Sequence, residues 1–174
     1  TGSFNTAVGS LALDANTTAG SNTGLGYAAL GATTTGANNT ATGVNAMATN
    51  TTGTQNVAVG EQALYSNTTA SYNTAVGYDA LRANTTGANN TAVGHNTLDA
   101  NTTGHSNAAV GVNALLLNTT GIQNTALGMG AVTFTTTGSY NTGVGYNALN
   151  ANTTAQENTA VGYYALGAAT TGHS

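Results

Sequence analysis

The chain has 174 residues, 3% of them charged, a formal net charge of −4 at pH 7, no Cys, no Pro and, in Arg82, a single residue of the Lys/Arg kind. Disulfide stapling and thiolate metal sites are therefore excluded, and nucleic acid is excluded as a partner because one guanidinium cannot neutralise a phosphate track. Low charge argues against disorder, and with no apolar run near the roughly 20 residues of a membrane span, membrane insertion is not expected.

The chain opens Thr1-Gly2-Ser3-Phe4 and then spells Asn5-Thr6-Ala7-Val8-Gly9. That phrase returns seventeen residues later as Asn22-Thr23-Gly24-Leu25-Gly26 and recurs to Asn158–Gly162. Gly9, Gly26, Gly43, Gly60, Gly77, Gly94, Gly111, Gly128, Gly145 and Gly162 keep this spacing without insertion or deletion. With this glycine as position 1, the unit reads G-Y-N-A-L-x-A-N-T-T-G-x-x-N-T-A-V. Position 14 is always Asn: Asn5, Asn22, Asn39, Asn56, Asn73, Asn90, Asn107, Asn124, Asn141 and Asn158. Positions 2, 3, 6, 12 and 13 vary freely.

Seventeen residues are too few for a helical hairpin, and Thr, Asn and Gly are poor helix formers. The Thr-Ala-Val phrase alternates as a strand does, with positions 15 and 17 on one side and 16 on the other. A constant short unit with fixed Gly and Asn describes one coil of a β-solenoid. The expected fold is all-β: a parallel β-solenoid of ten 17-residue coils, one repeat array over residues 1–174. At about 4.8 Å per coil it is a rod of roughly 50 Å.

Equal positions then stack into columns. The expected apolar interior is Leu13, Leu30, Leu64, Leu81, Leu98, Leu115, Leu149 and Leu166 at position 5, with Val8, Val59, Val76, Val93, Val110, Val144 and Val161 at position 17. The asparagines of position 14 are expected to hydrogen-bond along the axis at a bend. Glycine at position 1 implies a positive φ or no room for a Cβ. Position 11 accepts Ala19, Ala70 and Ala155 and so is not expected to need a left-handed backbone. Small residues at positions 4 and 16 imply close approach, either of the opposite wall of the coil or of another chain. One Leu and one Val per coil make a thin interior, so packing against further chains is expected. Neither terminus carries an atypical capping unit, and another Asn phrase fits after Ser174 in register, as in a section of a longer fibre.

At "NTAVGYDAL", "NTAVGHNTL", "NTGVGYNAL" and "NTAVGYYAL" the chain resembles the head repeats of trimeric autotransporter adhesins of the YadA type. It also resembles the "NTAVGYNAL" arrays of phage and bacterial tail-fibre-like proteins. The resemblance covers all ten units. It implies a left-handed parallel β-roll, three chains side by side, on a cell surface, a virion surface or otherwise extracellular. The coil is longer here than the YadA-type coil, by the added "ANTTG".

No chemistry for catalysis or metal binding is legible. Asp14, Glu61, Asp79, Asp99 and Glu157 are read as solvated charges without a paired acid/base arrangement. His95, His105 and His173 sit at variable positions, with no further ligands to complete a metal shell. No enzyme activity, no metal and no cofactor are expected. Tyr27, Tyr78, Tyr146 and Tyr163 share position 2, and Tyr72 and Tyr140 share position 13, as candidate contacts to a glycan, a receptor or a neighbouring chain. The "NTT" asparagines Asn16, Asn50, Asn67, Asn84, Asn101, Asn118 and Asn152 are formal glycosylation acceptors, with a ladder role favoured. The Thr columns raise ice binding as a weaker alternative, because adjacent positions 9 and 10 point to opposite sides and one is expected at a buried bend. The function expected is that of a non-catalytic fibre segment, a rigid spacer and adhesive display rod that associates with itself.

Overall fold

The computed structural model describes residues 2–168 and contains no helix. Three-residue strands recur in chain order: β1 (Thr6–Val8), β2 (Thr23–Leu25), β3 (Thr40–Thr42), β4 (Val57–Val59) and β5 (Thr74–Val76). Then come β6 (Thr91–Val93), β7 (Ala108–Val110), β8 (Thr125–Leu127), β9 (Thr142–Val144) and β10 (Thr159–Val161). All ten lie in one parallel sheet in sequence order. Each residue pairs with the one seventeen further on, as Thr74 with Thr91 and Val76 with Val93. The chain is the expected β-solenoid, about nine turns of about 17 residues.

Hydrogen bonds between turns continue far beyond the strands. Thr51 N donates to Thr68 O at 2.9 Å, Leu64 N to Ala80 O at 3.0 Å and Gly77 N to Val59 O at 2.8 Å. The backbone is thus satisfied by its neighbours around most of the coil, which lets a turn with so little apolar content fold.

Positions 1 to 8 make a run of tight bends. Ala46 N donates to Gly43 O, Ala48 N to Asn45 O and Asn50 N to Met47 O, at 3.3, 3.3 and 3.2 Å. The backbone is left-handed at positions 3 and 5, as at Asn45 (φ 56°) and Met47 (φ 52°), and again at position 13, as at Asn38 (φ 59°). Type II turns need such a φ at their third residue and favour Gly or Asn there. That accounts for Asn45, Asn96, Asn113, Gly130 and Asn147 at position 3. Position 5 keeps Leu although the left-handed region costs an L-residue about 1–2 kcal/mol. Leu30, Leu64, Leu81, Leu98, Leu115 and Leu149 are fully buried, and burying a Leu contributes about 1.5–3 kcal/mol, enough to offset that cost.

Both reasons for glycine at position 1 apply at once. Gly77 has φ 138°, and a Cβ there would lie 2.3 Å from Gly94 O on the next turn. Position 11 is not left-handed, in line with the alanines it accepts.

One part of the expected interior is inverted. Val8, Val59, Val76, Val93, Val110, Val144 and Val161 do not point inward: Val8 is 55% exposed, Val110 39% and Val161 70%, and Val76 and Val144 are half-buried. The alanines between them, Ala41, Ala58, Ala75, Ala92 and Ala109, are fully buried instead. The roll is too flat for Val on that side. A Cβ built on Gly24 at position 16 would already stand 3.1 Å from Ala29 O and 3.5 Å from Leu13 Cγ on the facing wall. Close approach at positions 4 and 16 is therefore that of the opposite wall, not of another chain. Leu13 through Leu149 take the expected inside place, whereas Leu166 is 49% exposed, with no described turn stacked beyond it.

The fit across the roll is tight enough to couple two columns. Val132 is the one β-branched residue at position 5, and it faces Gly143, where an added Cβ would lie 2.6 Å from Val132 Cγ2. Gly143→Ala is expected to destabilise the chain by about 1–3 kcal/mol through overpacking. In a Val132→Leu background the same substitution restores the Leu and Ala pairing of the other turns, and most of that loss disappears. A double-mutant cycle in urea unfolding measures the coupling.

Candidate functional site

Two asparagine columns build the polar half of the interior. At position 14, Asn73 Oδ1 accepts the backbone N–H of Asn90 at 2.9 Å, while Asn73 Nδ2 donates to Gly87 O at 2.9 Å. At position 8, Asn84 Nδ2 donates to the same Gly87 O at 3.0 Å and to Asn67 Oδ1 at 3.1 Å. Where position 8 is Asn, the carbonyl of position 11 thus accepts two side-chain amides, one from its own turn and one from the turn before. Gly104 O receives Asn90 and Asn101, both at 2.9 Å. The expected ladder of position 14 is present, and a second one runs beside it.

The second ladder is the role favoured for the asparagines of the "NTT" phrase. Asn50, Asn67, Asn84, Asn101, Asn118 and Asn152 are fully buried, and Asn16 is half-buried with its amide on Ala19 O. Their Nδ2 atoms are committed inside the roll, so the folded chain does not offer them to a glycosyltransferase. The Thr columns also differ from expectation, since neither is buried. Position 9 is half-buried with its hydroxyl on the next turn, as Thr85 Oγ1 on Thr102 O at 3.1 Å, and position 10 is exposed.

The ladder of position 8 is interrupted by Thr33 and Thr135. Thr135 Oγ1 donates to Asn152 O at 2.9 Å and offers nothing to the turn below. Asn118 Oδ1 is left buried without a partner.

Three surfaces remain for interaction. The outer face of the sheet carries Thr and Val columns at positions 15 and 17, without one charged residue in its ten strands. Leu25, Val59, Val93, Val110 and Leu127 stand 36–49% exposed along it.

The second surface is the aromatic column of position 2. Tyr78 stacks on His95 and Tyr146 on Tyr163, with centroids 5.3 Å apart in both pairs, and Tyr164 packs edge-on against Tyr146 and Tyr163. Stacking along the axis turns the faces of these paired rings toward one another, so each loses one face to its neighbour. Hydrogen bonding to Tyr164 holds the Tyr146 phenol above its ordinary range. Tyr27, Tyr72 and Tyr140 are exposed.

The third surface is a charge cluster that a turn-by-turn reading missed. Arg82 and Asp99 both occupy position 6 on consecutive turns, and Arg82 Nε donates to Asp99 Oδ1 at 2.8 Å and Nη2 to Oδ2 at 3.3 Å. Asp79 Oδ2 lies 3.6 Å from the same Nε. The Asp79 and Asp99 side chains are 17% and 20% exposed, so neither is the solvated charge expected from sequence. Burial pushes the Asp79 carboxyl up, against the pull of Arg82, and its Oδ1 has no partner. The signal was the shared column: seventeen residues separate Arg82 from Asp99.

Asp14, Glu61 and Glu157 are exposed, as are His95 and His105; His173 lies outside the described residues. Among the described residues no cleft or cavity opens, no group of His, Asp and Glu is placed to hold a metal ion, and no helix is long and apolar enough to cross a membrane. Comparisons with family models, with curated proteins and with solved structures give no match.

The interrupted ladder is directly testable. Thr135→Asn supplies an amide to Asn118 Oδ1 and a second donor to Gly138 O, which now accepts only from Asn124 among the side chains. Relieving a buried unpaired acceptor is expected to raise the unfolding free energy by about 1–3 kcal/mol in denaturant titration.

Proposed function

We propose that the chain is a non-catalytic structural segment of a fibre, a rigid spacer and display rod on a cell surface, a virion surface or another extracellular structure, that assembles with further copies of itself. The observation that carries this reading is the outer sheet face. An uncharged strip with an exposed Val or Leu at position 17 on seven of its ten strands runs the length of the solenoid. Contiguous apolar surface of that kind marks an association site in a soluble chain. A parallel sheet, moreover, ordinarily has both faces covered. The resemblance to YadA-type heads and tail-fibre-like arrays, with left-handed winding and three chains side by side, belongs to the same proposal.

Several further features agree with a mechanical role. Hydrogen-bond ladders between turns resist bending along the whole rod. The single trypsin-type site, Arg82, is tied to Asp99 by two hydrogen bonds, which slows its entry into a protease. Variation is concentrated at positions 2, 3, 6, 12 and 13, and exposed Tyr72 and Tyr140 at position 13 are candidate display residues for a receptor or glycan.

Charge placed on the strip tests the assembly. Val93→Glu with Val110→Glu is expected to leave the β circular-dichroism signal intact and to shift the sedimentation coefficient from an oligomer to a single chain. A wild-type chain that sediments as a folded monomer at micromolar concentration contradicts the reading.

A further inference from the structure

We infer that Tyr146 and Tyr163 form an oxidative cross-linking site, at which a peroxide-fed one-electron oxidant such as a haem peroxidase joins two consecutive turns through a dityrosine bridge. The two residues occupy position 2 seventeen residues apart. Their rings lie one over the other, with centroids 5.3 Å apart and planes 13° from parallel. Tyr164 stands edge-on to both, at 5.4 Å from Tyr146 and 4.8 Å from Tyr163. All three are open to an oxidant in solution, at 38%, 76% and 49% exposure.

This is the one place among the described residues where two phenols of successive turns stack. Tyr27 lies between Ser10 and Val44 in the same column, and Tyr78 lies between Glu61 and His95. The chain has no Cys and no Trp to intercept a tyrosyl radical. A tyrosine phenol keeps its proton at neutral pH, and hydrogen bonding to Tyr164 pushes the Tyr146 phenol in the same direction.

The reaction balances as follows. Each phenol gives one electron and its hydroxyl proton to the oxidant, leaving two phenoxyl radicals. A ring carbon ortho to oxygen on Tyr146 bonds to its counterpart on Tyr163. Each coupled carbon then loses its hydrogen as a proton, and each oxygen regains one, which restores both aromatic rings. One C–C bond has formed, the protein has lost two hydrogens, and one hydrogen peroxide has become two waters. The bridge lies within one chain, so it does not depend on the proposed assembly.

The test treats the folded chain with a haem peroxidase and limiting hydrogen peroxide, then reads dityrosine fluorescence, intact mass and cross-linked peptides. A monomer lighter by two hydrogens, with Tyr146 joined to Tyr163, is expected. Held in one structure, the pair is expected to couple about a hundredfold faster than tyrosines of different chains at roughly ten micromolar protein. Tyr163→Phe abolishes the product and Tyr140→Phe leaves it, with unchanged circular dichroism in both; oxidation of Met129 adds oxygen and is separated by mass. Equal yield from chain unfolded in urea, a monomer bridge between other tyrosines, or cross-links chiefly between chains would each overturn the inference.

Discussion

The structure depends on one repeated polar junction, the carbonyl of position 11 held by two asparagine amides. At Gly104 the donors are Asn90 and Asn101, arriving from successive turns. The junction fixes the corner at which the coil reverses, and it ties each turn to the next in the only register that brings all its parts together. Side-chain hydrogen bonds to buried backbone contribute about 1 kcal/mol each, and far more is lost when one partner is left alone. Apolar burial supplies the other half of the interior, through a fully buried Leu and two small methyl-bearing positions per turn. Neither half closes the coil alone.

That arrangement also explains how the chain tolerates so strained a backbone. Three positions per turn lie in the left-handed region, including leucines that would not choose it. Residues of this kind persist only where their surroundings over-determine them. Here the constraint comes from neighbouring turns, since residues 1 to 8 of each unit are pinned above and below by the same backbone donors and acceptors. Val132 is the least comfortable of these, being β-branched, and the glycine opposite it is the local accommodation.

Much of this was legible in the sequence, because a solenoid writes its geometry as a period. Ten glycines in step gave the coil length, the unvarying Asn gave a corner ladder, and Leu at position 5 gave the core. Which side of Thr-Ala-Val faces inward was not legible. Alternation separates Ala from Val but does not say which is inside, and hydrophobicity favours the wrong one. The deciding quantity is the distance between opposite walls, which admits a methyl and nothing larger. The left-handed residues were hidden too, except for the Asn and Gly at position 3. The ladder of position 8 was the favoured reading of N-T-T, although a ladder and a sequon share those letters. Arg82 and Asp99 look unrelated until read down a column rather than along the chain.

The inversion of the strand bears on function. Had Val pointed inward, Thr would have gone with it, and the outer face would have carried only alanine and glycine at position 16. With Val and Leu outside, the same strand that closes the roll by its alanines carries the exposed apolar strip on which the proposed assembly rests.

Removing one amide of the central junction tests the account most directly. Asn90→Asp replaces the donor to Gly104 O by a carboxylate oxygen inside the roll, where an unpaired charge costs on the order of 3–5 kcal/mol. Asn89→Asp, at the exposed neighbouring residue, serves as the control. In urea unfolding at neutral pH, the first is predicted to lose several kcal/mol and the second to stay within about 0.5 kcal/mol of the parent. Equal stability of the two variants would contradict the claim that paired asparagines hold the turns together.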